Sequence, residues 1–419
     1  MIVKTVVRPE TEMKDSSIEY LGKIPTTWEK CRLKNVCTSF NSNITTSIIN
    51  KEHGNYKIFG ASGLIGYIEF ETMQDEYLGI VKDGAGVGRI GSYPSHSSLL
   101  GTLAYIIPND GINMKWLKYV IENMNLGESI DKTTIPHIYF STYGNNYIPF
   151  PSSDEQQAIA DYLDETCFKI DEIIAEAKAS IDEYKELKQS VIFEAVTKGL
   201  DKNVEFIDSG DEWLGKYPKS YSIGQLSMLS NIVRGGSPRP AGDPRYYGGN
   251  IPFMRISDIT KDDNIYVNSC ENTITEEGLT RTRMIPSNTL LLTNSGATLG
   301  VPKINTFETT FNDGIAAFLD LDKRLNIIYV YFFLKARTSY FLEYASMGMG
   351  QPNLNTDIIG RTKIVFPTLA EQQKIVLYLK DRCRKLNSLI VEKESLINDL
   401  EAYKKSLIYE VVTGKRRVV

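Results

Sequence analysis

Residues 150–197 recur at 366–413 without a gap, at a constant spacing of 216, and this duplication restricts the possible folds more than any other feature. Identical pairs include Phe150/Phe366, Pro151/Pro367, Glu155/Glu371, Gln156/Gln372, Gln157/Gln373 and Cys167/Cys383, and the run closes on Glu194/Glu410 and Thr197/Thr413. A shorter echo sits at a spacing of 193, where Tyr20-Leu-Gly-Lys-Ile-Pro matches Trp213-Leu-Gly-Lys-Tyr-Pro. The chain is therefore written twice as a lead-in motif, a body and a long helical segment. Such a chain has an approximate internal twofold, and its binding partner is expected to come in two halves as well.

Both repeated segments open on a helix start. Ser152-Ser-Asp-Glu155 and Thr368-Leu-Ala-Glu371 fit the capping box, and a proline precedes each cap. From there a 4-3 spacing runs through Ile159, Leu163, Thr166, Ile170, Ile173, Ala177, Ser180, Tyr184, Leu187 and Val191. Its counterpart runs through Ile375, Leu379, Arg382, Leu386, Leu389, Lys393, Leu396, Leu400, Tyr403 and Leu407, and eight of the ten positions in each are apolar. A stripe this narrow, sustained over several heptads, predicts a helix–helix seam. Residues 150–199 carry five basic and twelve acidic groups, net −7, whereas residues 370–419 carry eleven and seven, net +4. Complementary charge and twofold-related copies predict that the two helices pair with each other, antiparallel. The competing reading is two independent amphipathic helices, each packed on its own body.

The bodies read as mixed α/β domains. Short β-type runs bounded by glycine occur at 56–59, 64–68, 77–81 and 103–107 in the first, and at 251–256, 289–293 and 316–319 in the second. Helices are expected at Met114–Asn123 and Ile327–Tyr344. In each body a strand runs into a glycine-rich loop, Lys82-Asp-Gly-Ala-Gly-Val-Gly-Arg89 and Asn294-Ser-Gly-Ala-Thr-Leu-Gly300. The first contains Gly86-Val-Gly88-Arg-Ile-Gly91, formally a dinucleotide fingerprint. That chemistry requires a helix opening on the last glycine, and the turn-rich Ser92-Tyr-Pro-Ser-His-Ser-Ser follows instead.

A net charge of −5 argues against a nucleic-acid binder until it is divided along the chain. Residues 230–256 hold Arg234, Arg239, Arg245 and Arg255 against one acid, and residues 281–307 hold Arg281, Arg283 and Lys303 against none. Local excess of this kind is what phosphate contacts need, and arginine also reads guanine bidentately. Asn294, Ser295, Gln351 and Asn353 add side chains suited to base edges, and Ser237 joins them in the Arg234-Gly-Gly-Ser-Pro238 loop. The first body offers Lys82, Arg89, Lys132 and His137. The alternative for each of these is an ordinary solvated loop residue. With three histidines, all in the first body, a duplicated acid–base site is not on offer, and no metalloprotease, P-loop or amino-methyltransferase motif is present.

Apolar content of 42% and charged content of 24% fit a globular protein, and no apolar run reaches the roughly 20 residues of a membrane span. The first residues lack the pattern of a secretory signal, and the five cysteines show no CxxC spacing. A cytoplasmic location without structural disulfides or metal is expected.

Taken together, these residues resemble the specificity subunit of type I restriction-modification systems over essentially the whole chain. The resemblance is carried by Leu-Gly-x-x-Pro at the start of each body, Arg234-Gly-Gly-Ser-Pro238 with Tyr246-Tyr-Gly-Gly-Asn-Ile-Pro252, and Leu290-Leu-Leu-Thr-Asn-Ser-Gly-Ala-Thr-Leu-Gly300. Gln351-Pro-Asn-Leu354 and the twice-occurring Pro-x-x-x-Glu-Gln-Gln-x-Ile complete it. Body one departs from the pattern, with Tyr56-Lys-Ile-Phe-Gly-Ala-Ser-Gly63 in place of a Gly-Gly-x-Pro loop. The resemblance implies an α+β fold: two mixed α/β target recognition domains in pseudo-twofold arrangement, separated by two long helices forming an antiparallel coiled coil. The domains would span 1–149 and 201–366, and the spacer helices 150–200 and 367–419. It further implies a non-catalytic subunit in which each domain reads one half of a bipartite double-stranded DNA site. The helices would set the gap and dock modification (methyltransferase) subunits, with restriction subunits joining that core. S-adenosylmethionine, ATP and Mg would then bind the partners, and this chain would hold no cofactor. Competing readings are a nuclease or methyltransferase acting alone, and a protein–protein adaptor without DNA preference.

Overall fold

The computed structural model describes residues 5–124, 126–131, 136–346 and 353–418, excepting the side chains of Glu128, Ala345 and Ser346. Lys132 and Gln351 therefore lie outside the described residues. Four helices organise the chain: α1 (Met114–Glu122), α2 (Ser153–Lys198), α3 (Ile327–Ser346) and α4 (Leu369–Val412).

The two long helices, α2 and α4, begin as their caps predict. The Glu155 N–H donates to Ser152 Oγ at 3.3 Å, and the Glu371 N–H donates to Thr368 Oγ1 at 3.4 Å. The glutamate carboxylates, however, are drawn away into the bodies. Glu155 accepts from the Trp28 indole at 3.0 Å, and Glu371 accepts from the Tyr221 hydroxyl at 2.8 Å. Trp28 and Tyr221 occupy the same place in the two lead-in motifs. The glutamine that follows serves its own body helix. Gln156 accepts from the Asn113 N–H at 3.1 Å, and Gln372 accepts from the Asn326 N–H at 2.7 Å. Asn113 and Asn326 in turn cap α1 and α3 through their side chains. The repeated Glu-Gln pair is thus a double clasp between long helix and body.

By internal contacts the chain divides into two compact units, residues 1–178 with 394–419, and residues 179–393. Each unit takes a stretch of α2 and a stretch of α4, and in each the two stretches run antiparallel. In the first, Lys404 bonds both carboxylate oxygens of Asp171 at 2.7 Å. In the second, Lys188 bonds Asn387 at 2.8 Å. The seam follows a different phase from the one expected. Ile159, Leu163, Ile170, Ile375, Leu379, Leu386 and Leu407 are buried as predicted, but Ile173, Leu187, Leu389, Leu396 and Tyr403 are exposed. The buried partners are one residue further on, Cys167, Ile174, Ile181, Ile192 and Ile397, and Ile408 is buried beside Leu407. Both phases share the same heptad anchors. The one that wins buries Cys167, Ile174 and Ile181, whereas the other would bury Thr166 and Ser180. Each fully buried aliphatic side chain contributes about 1.5–3 kcal/mol, so two polar substitutions decide the phase.

The first unit holds a four-stranded antiparallel sheet. Its strands are β1 (Cys37–Asn41), β2 (Tyr77–Val81), β3 (Ile90–Tyr93) and β4 (Leu103–Pro108), ordered β1-β4-β2-β3. The second unit repeats it with β5 (Asn231–Arg234), β6 (Leu290–Thr293), β7 (Pro302–Asn305) and β8 (Ile315–Leu319), ordered β5-β8-β6-β7. There a short fifth strand, Tyr266–Val267, adds in parallel beyond β7. A second small sheet backs each one and contains one parallel pair, at the edge in the first, Ser97–Leu99 on Tyr56–Gly60, and at the centre in the second, Thr309–Phe311 on Tyr247–Met254. Leu290, Leu291 and Leu292 are wholly buried because helix α3 and the long-helix stretch cover one face while the second sheet covers the other.

The lead-in motifs fold alike, as hairpins pairing 13–15 with 23–25 and 206–208 with 216–218. The strand that leaves each body returns to the strand that opens it, Tyr147–Phe150 on Glu29–Arg32 and Lys363–Phe366 on Ser222–Gln225. In the first unit, Thr5–Val7 pairs antiparallel with Arg416–Val418. Among the described residues no helix is long and apolar enough to cross a membrane.

Candidate nucleic-acid interface

The two glycine-rich loops have the same backbone. The Gly88 N–H returns to Val81 O at 2.8 Å, and the Gly300 N–H returns to Thr293 O at 2.7 Å. Gly84 and Gly296 have φ of 84° and 82°, and Gly88 and Gly300 have 87° and 81°, a region that a side chain on Cβ disfavours. The loops are then clamped by a later segment. The Ile138 N–H donates to Lys82 O at 3.0 Å, and the Leu354 N–H donates to Asn294 O at 2.7 Å. Isolated bridges join Asp83 to His137 and Ser295 to Asn353. Lys82 is thus the counterpart of Asn294, Asp83 of Ser295, and His137 of Asn353. Residues far apart in sequence meet at one place in each body.

The side chains at these places differ. Lys82 bonds Asp83 at 2.6 Å, and His137 lies 3.4 Å from Asp131 and packs edge-on against Tyr139. Arg89 donates to Ala61 O across the mouth of its loop. In the second body Ser295 is half-buried and Asn353 is exposed. Asn294 departs from expectation: its side chain is fully buried, and neither its nitrogen nor its oxygen has a hydrogen-bond partner. Its side chain is turned inward, so the polar surface here belongs to Ser295 and Asn353.

The basic stretches converge beside this loop. Gly235 and Gly236 let the Arg234–Ser237 segment lie directly on two backbones. A Cβ at Gly235 would come within 2.3 Å of Asn312 O, and one at Gly236 within 2.2 Å of Arg281 O. Arg234 donates to Asp313 O at 2.5 Å, Ser237 donates to the Asp313 carboxylate at 2.6 Å, and Arg283 donates to Arg234 O at 3.0 Å. Tyr247 donates to Pro238 O at 2.7 Å and carries the Arg255 guanidinium 6.0 Å from its ring centroid. Arg234, Arg239, Arg255, Arg281 and Arg283 are all exposed on this surface. Arg245 is held by Asp243, whose hydrogen bonds from Arg245 keep the carboxyl below the usual range.

Lys303 does not belong to the cluster. It is 1% exposed, its ammonium lies 2.6 Å from Asp262, and it also bonds the Asp262 and Asn264 carbonyls. Burial pushes its pKa down while Asp262 opposes the shift. This is an internal ion pair that pins the 262–264 loop. Asp313, which holds the arginine segment in place, was not singled out from sequence, and its one signal was its position in the turn ahead of β8. Tyr247 lay within the Tyr246–Pro252 motif, which gave it no particular contact.

Comparison with known proteins agrees with this layout. The family described as the type I restriction modification DNA specificity domain matches twice, over residues 25–183 and 218–398. The specificity subunit of the type I restriction enzyme MjaIX from Methanocaldococcus jannaschii is 30% identical over 169 residues, 40% of this chain and 38% of that protein. The match thus spans well under half of that relative. The MjaVIII specificity subunit of the same organism is 22% identical over 327 residues, 72% of this chain and 70% of that one. Among solved structures, a chain of a type I R-M system studied for complex assembly and conformational transition aligns with a TM-score of 0.72 at 14% identity, covering 94% of this chain and 99% of that one. The HsdS subunit from Thermoanaerobacter tengcongensis aligns at 0.51 and 14%, over 94% and 98%. At such identities the two structures share the fold. With both halves matched, the chain belongs to the type I restriction modification DNA specificity family and carries two of its domains in tandem.

Proposed function

We propose that this chain is the DNA sequence-recognition subunit of a type I restriction-modification enzyme, each body reading one half of a bipartite site. The observation that carries the reading is the exposed arginine surface of the second body, set on a DNA specificity domain: Arg234, Arg239, Arg255, Arg281 and Arg283 beside Ser295 and Asn353. Guanidinium groups on short, backbone-locked loops supply phosphate contacts, and the adjacent hydroxyl and amide supply base-edge partners. In the first body Lys82, Arg89 and His137 take the corresponding role around the first glycine-rich loop.

The long helices set the gap between half-sites and dock modification subunits. Exposed apolar side chains support this, Ile173 and Tyr403 in the first unit and their repeat counterparts Leu389 and Leu187 in the second. The chain itself is non-catalytic in this reading. Methyl transfer and cleavage, with S-adenosylmethionine, ATP and Mg, belong to the modification and restriction subunits, and the assembly works in the cytoplasm. An adaptor without DNA preference is disfavoured by the DNA specificity match in both halves.

The test is a gel shift with reconstituted modification subunits on DNA whose motif and gap come from the host methylome. Specific retention should need both bodies and fall with salt. Retention unchanged after both Arg239→Ala and Arg255→Ala would remove the arginine surface from the reading.

A further inference from the structure

Around the first glycine-rich loop the polar side chains are engaged within the protein. Lys82 bonds Asp83, Arg89 donates to Ala61 O, and His137 lies 3.4 Å from Asp131. The second body presents instead the hydroxyl of Ser295 and the amide of Asn353 beside exposed arginines. A further difference comes one residue along the segment that clamps each loop. In the second body Leu354 leads to Asn355, which caps the helix Thr356–Arg361 by accepting the Ile358 N–H at 2.8 Å. In the first body Ile138 leads to Tyr139, which precedes the helix Phe140–Tyr143 and makes no side-chain cap. Asparagine is among the residues that such a position favours, and tyrosine is not.

Nor does Tyr139 serve the core. It is 57% exposed, more than Phe40 at 43% or Phe70 at 48%. Phe40 stacks on Tyr105 at 4.6 Å, whereas Tyr139 meets the His137 ring edge-on at 4.8 Å and no second ring among the described residues. The backbone fixes where it stands. The Gly84 N–H donates to Pro136 O at 2.9 Å and the Ile138 N–H to Lys82 O at 3.0 Å, which ties the segment to the loop. Ile138 is 2% exposed, and Tyr139 is extended, with φ of −118° and ψ of 135°. Alternation along extended chain sends His137 and Tyr139 to the side away from Ile138, where the two rings touch. The tyrosine ring is therefore held at the rim of the loop that carries Lys82 and Asp83.

An intact duplex keeps the faces of its bases stacked and shows a protein only their edges. In the major groove those edges are polar with one exception, the C5 methyl group of thymine. An exposed ring beside polar groups that are already bonded suits that exception. We propose that Tyr139 reads a thymine in the half-site of the first body, through apolar contact with its C5 methyl group. The inference rests on the function proposed above and adds to it a base and an atom. The two bodies then read by different chemistry, the second through guanidinium, hydroxyl and amide groups, the first with the help of a ring. Asn355, at the equivalent place, has no apolar face to offer.

The test measures binding of the full chain, reconstituted with modification subunits, to a duplex carrying the site defined by the host methylome. Each thymine of the site is replaced in turn by deoxyuridine, which differs by the methyl group alone. At one position, in one half-site, the replacement should weaken binding about fourfold, the worth of one buried methyl group. Tyr139→Ala should bind the thymine and deoxyuridine duplexes equally, and Tyr139→Phe should keep the ratio of the parent. Tyr139→Asn, which installs the residue of the second body, should lose the ratio while thermal unfolding holds or rises. A site with no thymine in either half, or a ratio that Tyr139→Ala leaves intact, overturns the proposal. So does a Tyr139→Ala variant that weakens every duplex alike while the parent tells none apart, the mark of a ring wedged between base steps. A parent complex without preference for the site brings down the functional reading itself, and the role of the ring with it.

Discussion

Lys404 and Asp171 meet at 2.7 Å, and moving each by the repeat spacing lands on Lys188 and Asn387, which meet at 2.8 Å. The same contact is therefore made twice, once charged and once neutral, and both copies specify one antiparallel register. Lys404 is only about a quarter exposed, but Asp171 is more than half exposed, so the ion pair is a modest one. Lys404→Glu should cost about 1 kcal/mol through like-charge repulsion, and the swap Asp171→Lys with Lys404→Asp should recover most of it. Thermal melts of the single and double variants would show this, and a double variant no better than the worse single one would mean the pair does not set the register.

The buried Gln372 predicts a larger effect. Its amide donates to the Pro367 and Arg324 carbonyls at 2.8 Å while its oxygen takes the Asn326 N–H. Gln372→Ala leaves three backbone groups without partners, at a cost of roughly 2–4 kcal/mol. Gln372→Glu should be nearly as harmful, because a carboxylate cannot donate. Chemical denaturation measures both, and a fully tolerated glutamate would contradict the bonding described.

Acid sensitivity should centre on Asp263. Burial pushes its carboxyl up, yet Lys335 and Lys188 outweigh burial and hold it below the usual range. A carboxylate with a lowered folded pKa stabilises at neutral pH, and that contribution is lost as pH falls through the folded value. Asp263→Asn should therefore lower stability at pH 7 and flatten the decline below about pH 4, the ordinary carboxylate range. An acid limb identical to that of the parent chain would show that the lysines do not hold this carboxylate.

Lys303 and Arg239 separate folding from binding. Lys303→Ala empties a buried site and removes the ammonium that bonds Asp262 and two loop carbonyls, and should cost about 2–4 kcal/mol of stability. Arg239→Ala touches no described side-chain partner and should leave unfolding unchanged while reducing DNA retention and its salt slope. The reverse pattern, a stability loss at Arg239 with intact binding, would move the interface elsewhere.

Much of this was legible in the chain. The duplicated helices, their caps and the strands beside the glycine loops follow from periodicity and local chemistry alone. The seam phase was not recovered, because Ile173 and Ile174 are equally apolar and only Thr166 and Ser180, against Cys167 and Ile181, tell the phases apart. Lys303 and Asn294 were misplaced because composition counts polar groups without giving their direction. Both sit in or beside strands buried on two faces, where a polar residue turns inward. The equivalence of Lys82 with Asn294, and of His137 with Asn353, lies in backbone hydrogen bonds that no side-chain identity records.

The pairing of Thr5–Val7 with Arg416–Val418 has a topological consequence. After α2, covalent chain runs on into the next hairpin at 206–208, whereas after α4 the corresponding junction is bridged by a ladder of amide contacts. The ladder does without a bond what covalent chain does after α2. A tether joining residue 5 to residue 418, with a new break in a surface loop of either body, should leave the architecture intact.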